Sequence, residues 1–202
     1  SASHLKELLP QIAAAASLEH LRGLEGAGAT LYFGQFDQLI LGEKPLFSYQ
    51  SRSRRPPRDP VNALLSFVYS LLSHDCASAL ESVGLDSYVG FLHRDRPGRA
   101  SLALDLMEEL RPCMADRFVL TLINNRVVSK QDFDFRENGA IFLNDTGRRT
   151  FLKHWQERKR DTLTHPYLQE KVPWGLVPYV QALLLARHLR GDLDGYPPFL
   201  WK

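Results

Sequence analysis

Cysteine is scarce in this chain of 202 residues. Cys76 and Cys113 are the only two, and neither belongs to a CxxC pair or a Cys/His metal spacing. That excludes a disulfide scaffold and a thiolate zinc site, and it fits a reducing cytoplasm. Long apolar runs are missing too, since none approaches the roughly 18 to 20 residues a membrane span requires. Glu7 and Pro10 interrupt any apolar stretch near the start, so the opening does not read as a signal peptide. No internal repeat and no low-complexity tract occurs, which leaves out solenoids and long linkers. Charge of one sign is lacking as well. A formal net charge of +2 is too small for the total to argue nucleic-acid binding.

What is present is an ordinary globular composition, 44% hydrophobic and 24% charged, with length enough for one full core. The charge is unevenly placed. Residues 51–58 carry four arginines (Arg52, Arg54, Arg55 and Arg58) and no acid, and residues 148–160 carry six basic residues against the single acid Glu157. Local positive surface of this kind attracts a polyanion, although each stretch alone also reads as a solvated loop or helix face.

The periodicity predicts a mostly helical chain. Residues 5–16 read as an alanine-rich helix, with Ser17 capping a short turn, and Leu24, Leu31, Phe36 and Leu39 predict a helix over 24–41. Residues 42–60 break the pattern and read as a long surface loop, mobile in the absence of DNA. Asp59-Pro60 is a strong helix start for residues 61–83, and Ser101 opens a helix ending at Arg111, with Pro112 starting or kinking the next. Residues 133–135 and 140–143 flank Glu137-Asn138-Gly139 as a small β-hairpin. Thr146 is placed to cap a basic helix, and Pro173 precedes a last helix reaching Leu189.

Chemistry concentrates in residues 90–112. His93 stands fifteen residues before Glu108, separated by Arg94, Arg96 and Arg99 in a Gly/Pro turn and by a helix carrying Asp105. An imidazole, hard carboxylates and guanidinium groups suit a metal-dependent phosphodiester enzyme, the first two for a divalent cation and the last for the anionic backbone. A further carboxylate, Glu25, sits among small residues in Glu25-Gly26-Ala27-Gly28-Ala29. Asp105, Glu108 and Glu109 share one helix. Neighbours there lie about 100° apart, so Glu108 and Glu109 do not both face one ion, while Asp105 and Glu108 can lie over the same site. On spacing alone these acids also read as an exposed helix face, and His93 as a packed or surface residue.

Four segments occur in order: Leu21-Arg-Gly-Leu-Glu-Gly-Ala-Gly-Ala-Thr-Leu-Tyr-Phe33, Asp59-Pro-Val-Asn-Ala-Leu-Leu-Ser-Phe-Val-Tyr69, Gly84-Leu-Asp-Ser-Tyr-Val-Gly-Phe-Leu-His93 and residues 101–112. Together they resemble the CRISPR-associated integrase family, the Cas-one proteins, and the ending Tyr196-Pro-Pro-Phe-Leu-Trp-Lys202 resembles the type I-C branch. The resemblance implies an all-α, multi-helical catalytic domain over residues 1–202, without the family's N-terminal β-sandwich, and with Ser1-Ala2 as a vector remnant.

It also implies a metal site of Glu25, His93 and Glu108 for Mg²⁺ or Mn²⁺, with Asp105 supporting catalysis beside it. Glu109 is then expected to be silent on substitution. Asn62 and Tyr69 match a polar pair facing the site, although Ser66-Phe67-Val68 departs from the branch's Asn-Tyr-Gly run. The implied reaction is attack by a 3′-hydroxyl of captured DNA on a phosphodiester at a leader–repeat junction. The implied partners are double-stranded and branched DNA, a second copy in the full-length protein, and the small ferredoxin-fold Cas-two protein. No membrane is implied, and the setting is prokaryotic cytoplasm. Two competing readings are a catalytically silent subunit that holds DNA and a helical interaction domain whose acids never converge.

Overall fold

Helix α3, Pro60–Ser82, is the element around which the others pack. The computed structural model describes residues 2–201. Ser1 of the Ser1-Ala2 pair and Lys202 of the terminal motif lie outside the described residues. Asp59 begins α3 as expected: its backbone is extended, its carboxylate accepts from Asn62 N at 2.7 Å, and Pro60 occupies the first turn, where a missing N–H costs nothing. Val61, Leu64, Leu65, Val68, Leu72 and Leu80 are buried along it. Against the expectation that no apolar stretch approaches a membrane span, α3 is long and apolar enough to cross a bilayer, yet it packs on α4 (Ser101–Leu110) and α7 (Val177–Leu189) with its apolar residues buried there, as core helices do.

Helices α1 (Ala2–Ala13) and α2 (Leu18–Phe33) form a hairpin at the edge. The expected boundaries shift here. Ser17 caps α2 itself, accepting from His20 N at 3.2 Å, so the helix starts well before Leu24. It ends at Phe33, and the remaining apolar positions fall on a separate 3₁₀ turn, Phe36–Leu39. A local hydroxyl acceptor set the start, and the periodicity spanned two elements. Tyr32 then packs edge to face on Phe33 and Phe36, and Tyr49 packs tilted against Phe33 and Phe36, which ties this end of α2 to the core.

At Pro112 the helical run continues with its hydrogen-bond ladder interrupted. Proline has no N–H for the i→i−4 ladder, and residues Arg111–Asp116 widen into a π turn in which Arg117 N bonds Pro112 O before α5, Arg117–Asn124, resumes. Strands β1 (Phe133–Phe135) and β2 (Ile141–Leu143) pair antiparallel as expected, with Asp134 opposite Phe142. A second hairpin, β3 (Thr162–Thr164) with β4 (Lys171–Pro173), was not foreseen, because three-residue strands are too short to show alternation. Helix α6, Asp145–Arg160, is capped by Asn144, which accepts from Gly147 N at 2.9 Å, and not by Thr146. Gly147 is required there. A Cβ on it would lie 2.3 Å from Asp132 O. The all-α expectation holds, with two small hairpins as its only strands among the described residues.

Glu109 departs from its expected silence. It faces away from Glu108, into the protein, where its carboxylate accepts from Tyr196 Oη at 2.5 Å, Phe199 N at 2.7 Å and Gln181 Nε2 at 3.0 Å. Gln181 is fully buried and in turn meets His165 Nε2 at 3.0 Å. The C-terminal tail is thus latched onto α4. Replacing Glu109 with Ala leaves Tyr196 Oη and Phe199 N without this acceptor, while Gln181 Nε2 keeps Pro197 O at 3.2 Å, and unsatisfied buried groups cost about 1–3 kcal/mol each. We expect Glu109→Ala to lower unfolding stability by roughly 2–4 kcal/mol and to speed proteolysis of the tail. An unchanged urea midpoint would count against the latch.

Candidate active site

The site is organised by Asp105, one turn into α4. Its carboxylate accepts from Phe91 N at 2.6 Å, Leu92 N at 3.1 Å and His93 N at 2.9 Å, and it meets His93 Nδ1 at 2.7 Å. Burial pushes its pKa up, but the imidazole and the three N–H donors outweigh that and hold it below the usual carboxylate range. With Nδ1–H engaged, the imidazole tautomer that fits this bond leaves the Nε2 lone pair free. Nε2 faces Glu108, 3.9 Å from Oε1.

Glu108 forms an ion pair with Arg111 Nη2 at 2.7 Å, one turn along the same helical run. Burial raises its pKa, and the charge of Glu25 adds to this, against the pull of Arg111, His93 and Arg54. Glu25 lies on α2 and lines the same cavity, about 440 Å³ in volume, with Arg22, Arg54, Glu108, Arg111 and Asp116. Arg22 fixes the placement of α2. Its Nε donates to Leu92 O at 2.7 Å, and its Nη1 meets Glu19 at 3.0 Å.

His93, Asp105 and Glu108 are therefore brought together, while Glu25 stands exposed across the cavity. Among the described residues no three His, Cys, Asp or Glu side chains sit close enough to hold a metal ion as they stand.

Along one wall of the cavity lies a cluster of which sequence reasoning named only Arg52 and Tyr69. Asp116 is buried and accepts from Tyr32 Oη at 2.9 Å and from Tyr69 Oη. The Tyr69 ring lies between two guanidinium groups, Arg111 at 4.7 Å and Arg52 at 5.2 Å from its centroid. Arg111 was readable in principle, three residues after Glu108 on one helix. Asp116 had no signal, because the π turn that aims it inward is not a sequence pattern.

The expected nucleic-acid contacts divide accordingly. Asn62 is fully buried and is not a contact residue. It accepts from Arg52 Nη1 at 2.6 Å and Ser53 N at 3.0 Å, and it donates to Ser51 O at 2.8 Å. Tyr69 is spent on Asp116. Arg52 is held by Asn62 and by Ser66 Oγ at 3.1 Å, and Arg58 donates to Asn138 O at 2.7 Å on the β1–β2 hairpin tip. These bonds join the loop to α3 on one side and to the hairpin tip on the other. Arg54, Arg55 and Arg58 are exposed, and of these Arg54 and Arg55 line a cavity with Arg111. In the histidine loop Arg94 pairs with Glu19, while Arg96 and Arg99 have no ion pair among the described residues.

Fold and site together define a helical domain that sets a histidine and a glutamate beneath an arginine-lined cavity. The chain belongs to the family described as CRISPR associated protein Cas1, matched over residues 1–157. It is 62% identical over 190 residues to CRISPR-associated endonuclease Cas1 2 of Rhodospirillum rubrum, covering 94% of this chain and 55% of that one. Among solved structures it resembles a casposase bound to integration product, with TM-score 0.84 and 30% identity over 94% of this chain and 52% of that chain. A partial Cas6-RT-Cas1–Cas2 complex gives TM-score 0.80 and 31% identity, covering 99% of this chain and 58% of that one. The chain spans about half the length of the first curated relatives it matches.

Burial raises the Asp116 pKa from 3.8 to about 6, against the tyrosine hydroxyls and the two arginines. A folded pKa above the unfolded one means that this group's contribution to stability is fully present below pH 3.8 and is lost as pH rises through about 6. The shift corresponds to about 3 kcal/mol. In Asp116→Asn the fall in stability between about pH 4 and 6 should flatten by an amount of this order, measured by urea unfolding. Parallel curves for the two proteins would refute the assignment.

Proposed function

We propose that this chain is the catalytic helical domain of a CRISPR integrase and endonuclease. In this reading a 3′-hydroxyl of a short captured DNA attacks a phosphodiester at a leader–repeat junction, and water in its place cleaves the strand. The observation that carries the proposal is the line Asp105–His93–Glu108, in which one carboxylate orients the imidazole so that its free nitrogen faces a second carboxylate. The relative named an endonuclease and the casposase bound to integration product support the same chemistry.

The residues present fit a divalent cation. His93 Nε2 has an uncommitted lone pair, Glu108 offers hard oxygens, and Glu25 has no hydrogen-bond or ion-pair partner among the described residues in the same cavity. One imidazole with two carboxylates suits Mg²⁺ or Mn²⁺. Bound there, the ion would supply Lewis-acid stabilisation of charge on the scissile phosphate. Asp105 would keep the imidazole in one orientation and tautomer, a role whose loss costs about 10–100-fold in metal affinity. Arg54 and Arg111 would face the phosphate from the cavity wall, and Arg96 and Arg99 would hold the backbone beyond it. DNA, the small Cas2 protein and a second copy of the full-length chain are the proposed partners, in a prokaryotic cytoplasm. The solved Cas6-RT-Cas1–Cas2 complexes support Cas2.

The separation of Glu25 from the other ligands favours a second reading, a subunit that holds DNA without cutting it. Strand transfer and cleavage by the full-length protein with its partner distinguish the two. We expect activity in Mn²⁺ and Mg²⁺ and none in EDTA, with Mn²⁺ at least as effective because nitrogen ligation favours it. His93→Ala, Glu108→Ala and Glu25→Ala should fall to background and lose Mn²⁺ binding, while Asp105→Ala retains more metal affinity. Full activity in the His93 variant would leave the DNA-holding reading standing.

A further inference from the structure

The loop carrying His93 shows three large apolar side chains to solvent: Tyr88, Val89 and Phe91 are 51%, 61% and 55% exposed. A loose loop would collapse and hide such groups, but this one is held from behind. Tyr88 N bonds Asp86 Oδ1 at 2.9 Å, Phe91 N bonds Asp105 at 2.6 Å, and Ser101 Oγ donates to Arg94 O at 3.2 Å. Arg22 grips Leu92 O from α2. At Gly90 the backbone presses so closely on α4 that a Cβ would lie 2.7 Å from Ser101 Cβ and 3.0 Å from Asp105 Oδ2. The rings are therefore displayed on a fixed support.

Arg94, Arg96 and Arg99 follow in the same loop, and Arg96 is exposed without an ion pair among the described residues. Exposed aromatic rings in one loop with guanidinium groups match a ligand with planar bases on an anionic backbone, which is nucleic acid. Phe91 is the residue best placed, because its N–H and the His93 imidazole bind the same carboxylate. A base against Phe91 would sit in a fixed relation to His93. We propose that Phe91, aided by Tyr88, is a stacking subsite for a nucleobase beside the phosphate acted on. This rests on the DNA-processing function above.

The test uses the full-length protein with branched DNA carrying 2-aminopurine on either side of the junction. Phe91→Leu removes the ring and keeps an apolar side chain, and Phe91→Trp restores a stacking face; thermal melts confirm that both fold. We expect the Leu variant to lose the protein-induced change in 2-aminopurine emission and to bind DNA about 5- to 100-fold more weakly, the range of one base–aromatic stack. The Trp variant should recover both. Equal emission and affinity in wild type and Phe91→Leu would overturn the subsite. So would unchanged DNA binding with loss of self-association or Cas2 binding, which would give the face to a protein. If wild type shows the Phe91-dependent emission but neither cuts nor joins DNA, the catalytic reading fails and the subsite stands.

Discussion

The Asp105 carboxylate is the point at which three separate pieces of chain are made into one site. It takes four donors from a single loop, three main-chain N–H groups and one imidazole nitrogen. A loop gathered on one buried anion has little freedom to rearrange, and Arg22 then sets α2 against that same loop through Leu92 O. The position of Glu25 relative to His93 follows from this second bond. Helix, loop and edge hairpin are registered by charge-assisted hydrogen bonds, which are shorter and stronger than neutral ones. Leu24 is the only buried residue of α2, so these polar contacts add to the aromatic packing of Tyr32 and Phe33 in fixing the helix.

The cluster along the cavity wall solves a different problem. A buried acid, two tyrosines and two arginines share a small volume, and the favourable geometry lies in how the charges are spread. Asp116 meets two hydroxyl donors, while Arg52 and Arg111 meet the faces of Tyr69 instead of the carboxylate. Their Nε atoms are buried without partners. Such groups are costly in isolation, and cation–π contact with a desolvated ring offsets part of that cost. The result is a stiff positive wall beside the site, made of residues that never reach solvent fully.

Much of the fold was legible in the sequence, for identifiable reasons. Asp59-Pro60 and the hairpin around Asn138-Gly139 use local chemistry that acts the same way in any context. Ser17, Asn144 and the second hairpin were misread or missed because several candidate caps compete and short strands carry no period. At the site, the spacing of His93, Asp105 and Glu108 was readable because one loop and one helix place them. Asn62 and Tyr69 read as site-facing by resemblance to the family's polar pair, yet both are consumed by buried hydrogen bonds, which only tertiary structure reveals. Glu109 shows the same limit: a charged residue on an amphipathic helix reads as solvated until the tail that covers it is seen.

The π turn at Arg111–Asp116 is a phase slip in an otherwise continuous helical run. One extra residue per turn rotates everything after it by roughly 100° relative to an unbroken α-helix. That rotation turns Asp116 toward Tyr69 and sets Phe118, Val119, Leu122 and Ile123 of α5 into the core. Residues 111–116 therefore hold one residue more than an unbroken α-helix needs. Removing one residue inside the turn would close it to a plain α-helix and leave α5 in its present phase, whereas adding one would rotate α5, expose its apolar stripe and withdraw Asp116 from the two tyrosines. The segment is thus more tolerant of losing a residue than of gaining one.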